Sequence, residues 1–428
     1  MYIKKVEIKN VRSISKFEME FADPAGWHVL IGDNGAGKSS ILRSIALALI
    51  GPTDAQALRL PLINWIQQSK EEAEITLLIE RSQDLDGYAG KKAPLKKPFD
   101  AAIRIFKENA HSFDVGRIER KGKSGTNPFE YIWSGKGGWF STAFGPFRRF
   151  TGGDKEWSKV YYSNPRAAAH LSVFGEDVAL TESLEWLSQM KFQTFEAISE
   201  AASTLEGIKR FINKGGLLPH GAQLDDVNSA GVFFKDGNGF DIDVTQMSDG
   251  FRSLLSMIFE LIRQMVKIYD ENLVFENINN GEMTIGVPGI VLIDEVDAHL
   301  HPTWQTRIGQ WFTQYFPNIQ FLVTTHSPLV CRASDKGSIW RLAAPGSETK
   351  SGEITGVDKD RLIFGNVLDA YGTEVFGSNV TISEDAVEKK EEMVELNKKK
   401  MAGVIKPEEE SKLEGLRQTF TTDDPIDL

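Results

Sequence analysis

The 428 residues are 41% hydrophobic and 25% charged, with a net charge of −11 and one cysteine, Cys331. That length allows two or three domains of ordinary globular composition, and the acidic balance excludes a wholesale nucleic-acid coat while leaving room for a local basic patch. A lone cysteine excludes an internal disulfide and a multi-cysteine metal site and suits a reducing cytoplasm, and no apolar run reaches the ~18–20 residues of a membrane span.

The opening MYIKKVEIKN lacks the apolar core and cleavage site of a signal peptide and reads as a first strand. VRSISKFEMEF reads as a second strand. WHVLIG is a short buried strand that runs straight into GDNGAGKS. A helix over Ser39–Ile50 follows, apolar at Ile41, Leu42, Ile45 and Leu49. Ala73–Glu80 is another strand. From 84 to 159 the character changes, with 15 Lys+Arg against 9 Asp+Glu. We read 84–160 as a basic, aromatic insert. KKAPLKKP and GPFRRF, with Trp133, Trp139, Phe140 and Phe144, could grip nucleic acid through charge and stacking. The alternative, which we prefer, is a β-meander with an aromatic core and a solvated basic rim.

Residues 178–213 carry helical spacing. Strands around 231–234 and 240–244 flank the turn DGNG. A helix runs from Phe251 to about Tyr269. Gly289–Asp294 is a buried strand, a helix starts near Pro302, and Gln320–Thr325 is a further buried strand. Near the end, Val387, Val394 and Met401 recur every seven residues on a charged helix. Pro407 followed by three Glu starts a second helix, with Leu413, Leu416 and Phe420 on its inner face. The pair reads as an αα-hairpin.

Gly32–Ser39 fits G-x-x-x-x-G-K-[ST], the Walker A loop, with the required strand before and helix after. Asn34, Gly35, Ala36 and Gly37 let backbone N–H groups surround a phosphate, as does the helix start at Ser40. Lys38 would bridge the β- and γ-phosphates of ATP, and Ser39 would ligate Mg2+. GIVLIDE is the Walker B counterpart: Asp294 would hold Mg2+, and Glu295 would polarise the attacking water. FLVTTHSPL ends a strand in His326, at the place of a γ-phosphate sensor. DEVDAHLHP holds His299 and His301, whose two-residue spacing does not align metal ligands on a helix face. We therefore set a metal reading aside.

Taken together, these motifs resemble an ABC-type ATPase head of the SMC and OLD kind. The fold expected is α/β: a P-loop head with an inserted β-rich and helical region and a C-terminal helical hairpin. The divisions read from sequence are 1–83 with Walker A, the insert 84–160, a helical segment 161–230, a second lobe 231–345 and a tail 346–428. In TQMSDGFRSLL, Ser248 and Gly250 match the family signature, whereas Asp249 and Phe251 depart from it. The resemblance implies that this helix start caps the γ-phosphate bound to an opposing copy, giving a homodimer or higher homo-oligomer. Asp249, a carboxylate near a phosphate, should then point away or contact an arginine. Asp297 would couple the two sites. Gln67 or Gln68, with Gln68 favoured, would be the Q-loop residue at the nucleotide and Mg2+. Arg12, at the first strand turn, would reach the nucleotide.

SNPRAAAHLSVFGEDVALTESLEWL, MSDGFRSLL, DEVDAHLHPTWQ, FGNVLDAYGTEVFG and KPEEESKLEGLR narrow the resemblance to PtuA-type ATPases of Septu and retron anti-phage systems. That likeness implies control of an HNH-type nuclease (PtuB-like) in trans, and in retron systems a reverse transcriptase with small DNA. OLD enzymes carry a nuclease domain after the ATPase; here strand remnants and charged helices follow His326. The alternatives are a RecF- or SMC-like repair ATPase that binds DNA directly, and a nucleotide-dependent scaffold with almost no turnover.

Overall fold

Alternating burial along the N-terminal strands builds a sheet with one face on the core. β1 (Tyr2–Val11), β2 (Ile14–Glu20) and β4 (Glu72–Glu80) pair antiparallel with β5 (Phe99–Lys107) and β6 (Phe113–Arg117) in the order β2-β1-β4-β5-β6. The computed structural model describes residues 1–82, 85–86, 97–108, 112–118, 127–133, 138–150, 164–175, 180–196, 198–218, 221–344, 346, 350–366, 370 and 384–420. The chain divides into a unit Met1–Phe364 and a unit Gly365–Leu428.

The second sheet has the order β14-β13-β3-β12-β11-β7. It comprises β3 (Gly26–Gly32), β7 (Ser141–Phe144), β11 (Gly289–Ile293), β12 (Ile319–Thr324), β13 (Gly337–Leu342) and β14 (Gly352–Ile354). All its pairings are parallel except β13 with β14. Every residue of β11 and β12 is buried, as parallel strands covered on both faces require. Helix α1 (Lys38–Ile50) lies among the core residues of both sheets and is buried from Ser40 to Ile50 except at Arg43. The apolar stripe expected at Ile41, Leu42, Ile45 and Leu49 is therefore only part of its buried surface, because a helix between two sheets is dry all round. Gln320 of β12 joins the sheets: its amide accepts from Ile3 N–H at 2.7 Å and donates to Ile3 C=O at 2.9 Å.

The described part of 84–160 does not stand apart. It supplies β5 and β6 to the first sheet and β7 to the edge of the second, beside β11. Trp133, Trp139, Phe140 and Phe144 are 8%, 2%, 0% and 1% exposed. They fill the core and are unavailable for stacking on bases. The Trp133 indole N–H donates to Ala48 C=O on α1 at 2.9 Å. The basic run 91–96 lies outside the described residues.

Beyond α2 (Pro52–Ala57) and α3 (Pro165–His170), α4 (Thr181–Phe195) and α5 (Ser199–Lys214) pack together and against a three-stranded sheet, β10-β9-β8. β8 spans Gln223–Asn228, β9 Gly231–Lys235 and β10 Asp241–Asp243. α6 (Asp249–Ile268) is buried from Ser253 to Met265. α7 (Pro302–Tyr315) connects β11 to β12, and α8 (Val357–Phe364) closes the first unit.

In the second unit, α9 (Glu384–Met401) and α10 (Pro407–Thr419) form the expected hairpin around Leu396, Leu413 and Leu416, with Met393, Ile405 and Phe420 packed alongside. Lys399–Glu409 at 2.6 Å and Lys400–Glu410 at 2.9 Å bridge the two helices. The seven-residue stripe is not the seam, however. Val394 is 48% and Met401 91% exposed, because Met393 and Leu396 face α10 instead. The Val387 side chain lies outside the described set. Among the described residues, no helix is long and apolar enough to cross a membrane.

Two buried histidines are held neutral. His28 Nε2 faces Pro24 C=O at 2.9 Å and must carry the proton, since a carbonyl only accepts; Nδ1 then accepts from the Ser338 hydroxyl at 2.8 Å. His170 is held likewise, with Nδ1 on Arg166 C=O and Nε2 on Ser141 Oγ. Burial pushes both down to about 4, from about 6.5 for a free imidazole. The unfolded chain therefore binds more protons between those values, and stability falls as pH drops through that window, by roughly 3 kcal/mol per histidine if fully realised. The thermal midpoint should decline already between pH 6.5 and 5, before most carboxylates titrate. A flat midpoint over that interval would contradict this assignment.

Candidate functional site

β3 delivers its last residue, Gly32, to the edge of the parallel sheet, and the chain turns back through 33–37 into α1. Gly35 and Gly37 take φ of 80° and 99°, the left-handed region that side chains disfavour. Asn34 and Gly35 are exposed at the loop tip, while Ala36 and Ser40 are buried beneath it. Lys38 is 6% exposed, and its ammonium donates to Gly32 C=O at 2.7 Å and Asp33 C=O at 3.0 Å. Burial lowers its pKa against the opposing pull of Glu295 and Asp294.

Walker B meets this loop side-on. Ser39 Oγ donates to Asp294 Oδ1 at 2.9 Å, and Thr324 Oγ1 donates to the same oxygen at 2.6 Å. Thr324 Oγ1 also accepts from Glu295 N–H at 2.7 Å. Glu295 has φ of 46°, rare for a residue with a side chain and costing on the order of 1–3 kcal/mol. One residue further along the chain, Thr325 Oγ1 donates to Asp297 Oδ1 at 2.5 Å. His326 is exposed, with Nδ1 3.5 Å from the Lys38 ammonium. A hydroxyl and a carboxylate oxygen side by side form a hard-oxygen set suited to Mg2+, which prefers few protein ligands and keeps its waters. Bound there, Mg2+ would neutralise phosphate charge. Lys38 and the loop N–H groups could then receive the phosphates themselves.

Arg12 lies beside the start of α1. Its Nη1 donates to Ser40 Oγ at 3.3 Å, and its guanidinium lies 5.0 Å from the Trp65 ring centroid. Burial, with Arg43 nearby, depresses its pKa. Gln68 follows Gln67, whose N–H donates to Asn10 C=O at 2.9 Å. It is exposed in the turn before β4, and among the described residues it shares no hydrogen bond with Ser39, Asp294 or Glu295. The strand after Gln68, β4, pairs with β1 and β5, and the strand beside β11 is β7. Gln67, the other candidate, bonds Ser15 Oγ at 3.0 Å.

The α6 start lies elsewhere. Ser248 is its N-cap, but the Ser248 hydroxyl makes no capping bond. A Cβ on Gly250 would sit 2.7 Å from His299 C=O, so only glycine allows this approach. A cavity of about 300 Å³ opens here, lined by Ser248, Gly250, Phe251, His299, Leu300 and Trp304. Asp249 forms an ion pair with Arg252, in line with the expected arginine contact. No hydrogen bond among the described residues joins Ser248 or Gly250 to the Gly32–Ser39 loop of the same chain. His301 caps α7 by accepting from Thr303 N–H at 3.3 Å.

Sequence reasoning missed Thr324, Thr325 and Arg148. The paired threonines before His326 were visible, but only the parallel register of β12 with β11 aims them at Asp294 and Asp297. Arg148 was hidden inside a run read as solvated charge.

A phosphate loop after β3, paired carboxylates after β11 with β12 between, and a separate antiparallel sheet define an ABC-type P-loop ATPase head. Residues 86–332 match the family described as "AAA domain, putative AbiEii toxin, Type IV TA system", and residues 1–97 match an "AAA ATPase domain". The first match spans more than half of the chain, which therefore belongs to this AAA-domain family. The Septu protein PtuA of Bacillus mycoides (strain KBAB4) is 25% identical over 344 residues, 79% of this chain and 40% of that protein. The retron Ec83 probable ATPase of Escherichia coli is 41% identical over 107 residues, 25% of this chain and 18% of that protein. The chain thus spans less than half the length of either relative. Among solved structures, an SMC head bound to the C-winged helix domain of ScpA aligns with a TM-score of 0.48 at 17% identity, over 83% of this chain and 98% of that one.

Thr324 gives a direct test of the shared hydroxyl. Thr324→Val keeps the shape and removes both hydrogen bonds, and should weaken Mg2+-dependent nucleotide binding by about 10–100-fold. Isothermal titration at varied Mg2+ checks this; wild-type Mg2+ dependence would contradict it.

Proposed function

We propose that this chain binds and hydrolyses ATP with Mg2+ and uses nucleotide state to control a partner nuclease in a Septu- or retron-type anti-phage system. The observation that carries the ATPase part is the chain of contacts Lys38–loop carbonyls and Ser39–Asp294–Thr324–Glu295. Lys38 bridges the β- and γ-phosphates, and Ser39 and Asp294 hold Mg2+. Glu295 polarises the attacking water, and His326 senses the γ-phosphate. The likeness to PtuA and to a retron ATPase supports the defence setting.

Two copies face each other in this reading. The α6 start presents Ser248, the Gly250 backbone and a helix N-terminus to the γ-phosphate of the other copy, and Asp297 links the two sites. The hairpin α9–α10, with Val394 and Met401 exposed, docks an HNH-type nuclease.

Glu295→Gln should lower turnover by roughly 10²–10⁴-fold while retaining ATP, and should accumulate an ATP-bound dimer in size-exclusion chromatography. Turnover at the wild-type rate would remove Glu295 from catalysis. Mixing Lys38→Ala chains with Ser248→Arg chains should restore hydrolysis that neither has alone, since one shared site is then complete; no recovery argues against sites built in trans. Tagged protein expressed with its native neighbouring genes should co-elute a small nuclease, and deletion of 381–428 should abolish that. Recovery of DNA alone would favour the repair-ATPase reading.

A further inference from the structure

Arg148 is buried, yet among the described residues no carboxylate pairs with it. Its five N–H donors meet neutral oxygens: Nε bonds Ser253 Oγ at 3.1 Å, Nη1 bonds Gly145 C=O at 3.0 Å and Asp294 C=O at 2.9 Å, and Nη2 bonds Glu295 C=O at 3.1 Å and Val296 C=O at 3.5 Å. Burial pulls the guanidinium down to about 10, with Asp294, Asp297 and Glu295 opposing the shift. A buried charge is a costly way to satisfy carbonyls that water or a neutral side chain could serve. What a guanidinium adds is a rigid planar fork that fixes several acceptors relative to one another.

Those acceptors belong to three separate pieces of chain. Gly145 follows β7. The carbonyls of 294–296 form the turn that puts Glu295 in its left-handed conformation. Ser253 lies on α6, within two turns of Ser248 and Gly250. The two peptide groups flanking the Glu295 Cα are thus both held, the N–H by Thr324 and the C=O by Arg148.

We infer that Arg148 is a positioning residue: it holds the Glu295 turn and ties it to Ser253, so that displacement of α6 is transmitted to the Glu295 carboxylate. Engagement of the Ser248 face of α6 then sets the aim of Glu295. This rests on Glu295 acting on the attacking water, as proposed above.

The test separates nucleotide affinity from turnover. Binding of mant-ATP, steady-state ATP hydrolysis and the thermal midpoint are measured for Arg148→Lys, Ser253→Ala, the double variant and Glu295→Gln. Arg148→Lys retains charge and loses the fork. It should bind mant-ATP as the wild type does and lose about 10²-fold in kcat, the effect of misplacing a catalytic group by about 1 Å. Ser253→Ala should lose about 5-fold in kcat, the equivalent of one neutral hydrogen bond, with affinity unchanged. The double variant should be no slower than Arg148→Lys, because both substitutions break one connection. Equal losses of affinity and kcat in Arg148→Lys, or additive losses in the double variant, would overturn the inference. If Arg148→Lys does not fold, Ser253→Ala decides alone, and an unchanged kcat overturns the coupling. An inactive Glu295→Gln beside a fully active Arg148→Lys sinks only this inference, whereas a fully active Glu295→Gln overturns the catalytic reading beneath it as well.

Discussion

Parallel pairing of β3, β12 and β11 decides where the Gly32–Ser39 loop, Asp294 and His326 lie. Parallel strands begin and end together, so the residues that follow them emerge on one edge of the sheet. Val29 sits opposite Val323, and Leu322 opposite Leu292. That register carries Gly32, Thr324 and Asp294 to the same edge from positions almost 300 residues apart. A slip of one residue would turn the buried side chains of β11 and β12 to the opposite faces and separate Thr324 from Asp294.

The sheet edge then concentrates charge in a poorly hydrated place, and the protein meets that cost mostly with neutral dipoles. The Lys38 ammonium rests on loop carbonyls, and Asp294, 1% exposed, takes two hydroxyl donors. Arg148 is surrounded by carbonyls and one serine hydroxyl. Dipoles of this kind hold side chains in place without neutralising them. A site arranged so leaves its charges available to a charged ligand, and it tolerates a left-handed Glu295 because the peptide groups on both sides of that residue are bonded.

α6 shares in this economy of fixed contacts. Its first turn abuts the carbonyl of His299, and Ser253 meets Arg148. Its buried Glu260 is bonded by Arg263 at 2.7 Å and Gln264 at 2.6 Å. The Gly250 and Ser253 contacts tie the first turns of α6 to the chain after β11, whereas the Glu260 cluster lies within the helix itself.

The local motifs were legible without the structure. The phosphate loop, the strand ending in two carboxylates, the strand ending in His326 and the terminal hairpin each depend on neighbours in sequence, where glycine spacing, apolar runs and capping residues act directly. The family resemblance was legible for the same reason. Three things were decided only by tertiary structure. Residues 84–160 looked like an insert because their charge was read along the chain, whereas β5, β6 and β7 are placed by pairing with distant strands. Gln68 was assigned by its order before a strand, whereas which strand borders β11, namely β7, is fixed by pairing across the chain. The stripe of Val394 and Met401 had the spacing of a helix seam, yet the facing helix packs on Met393 and Leu396. Sequence determines which side chains a segment presents at a given spacing; which of them meet depends on long-range pairing, because a strand edge or a helix face has no partner until the chain returns to it.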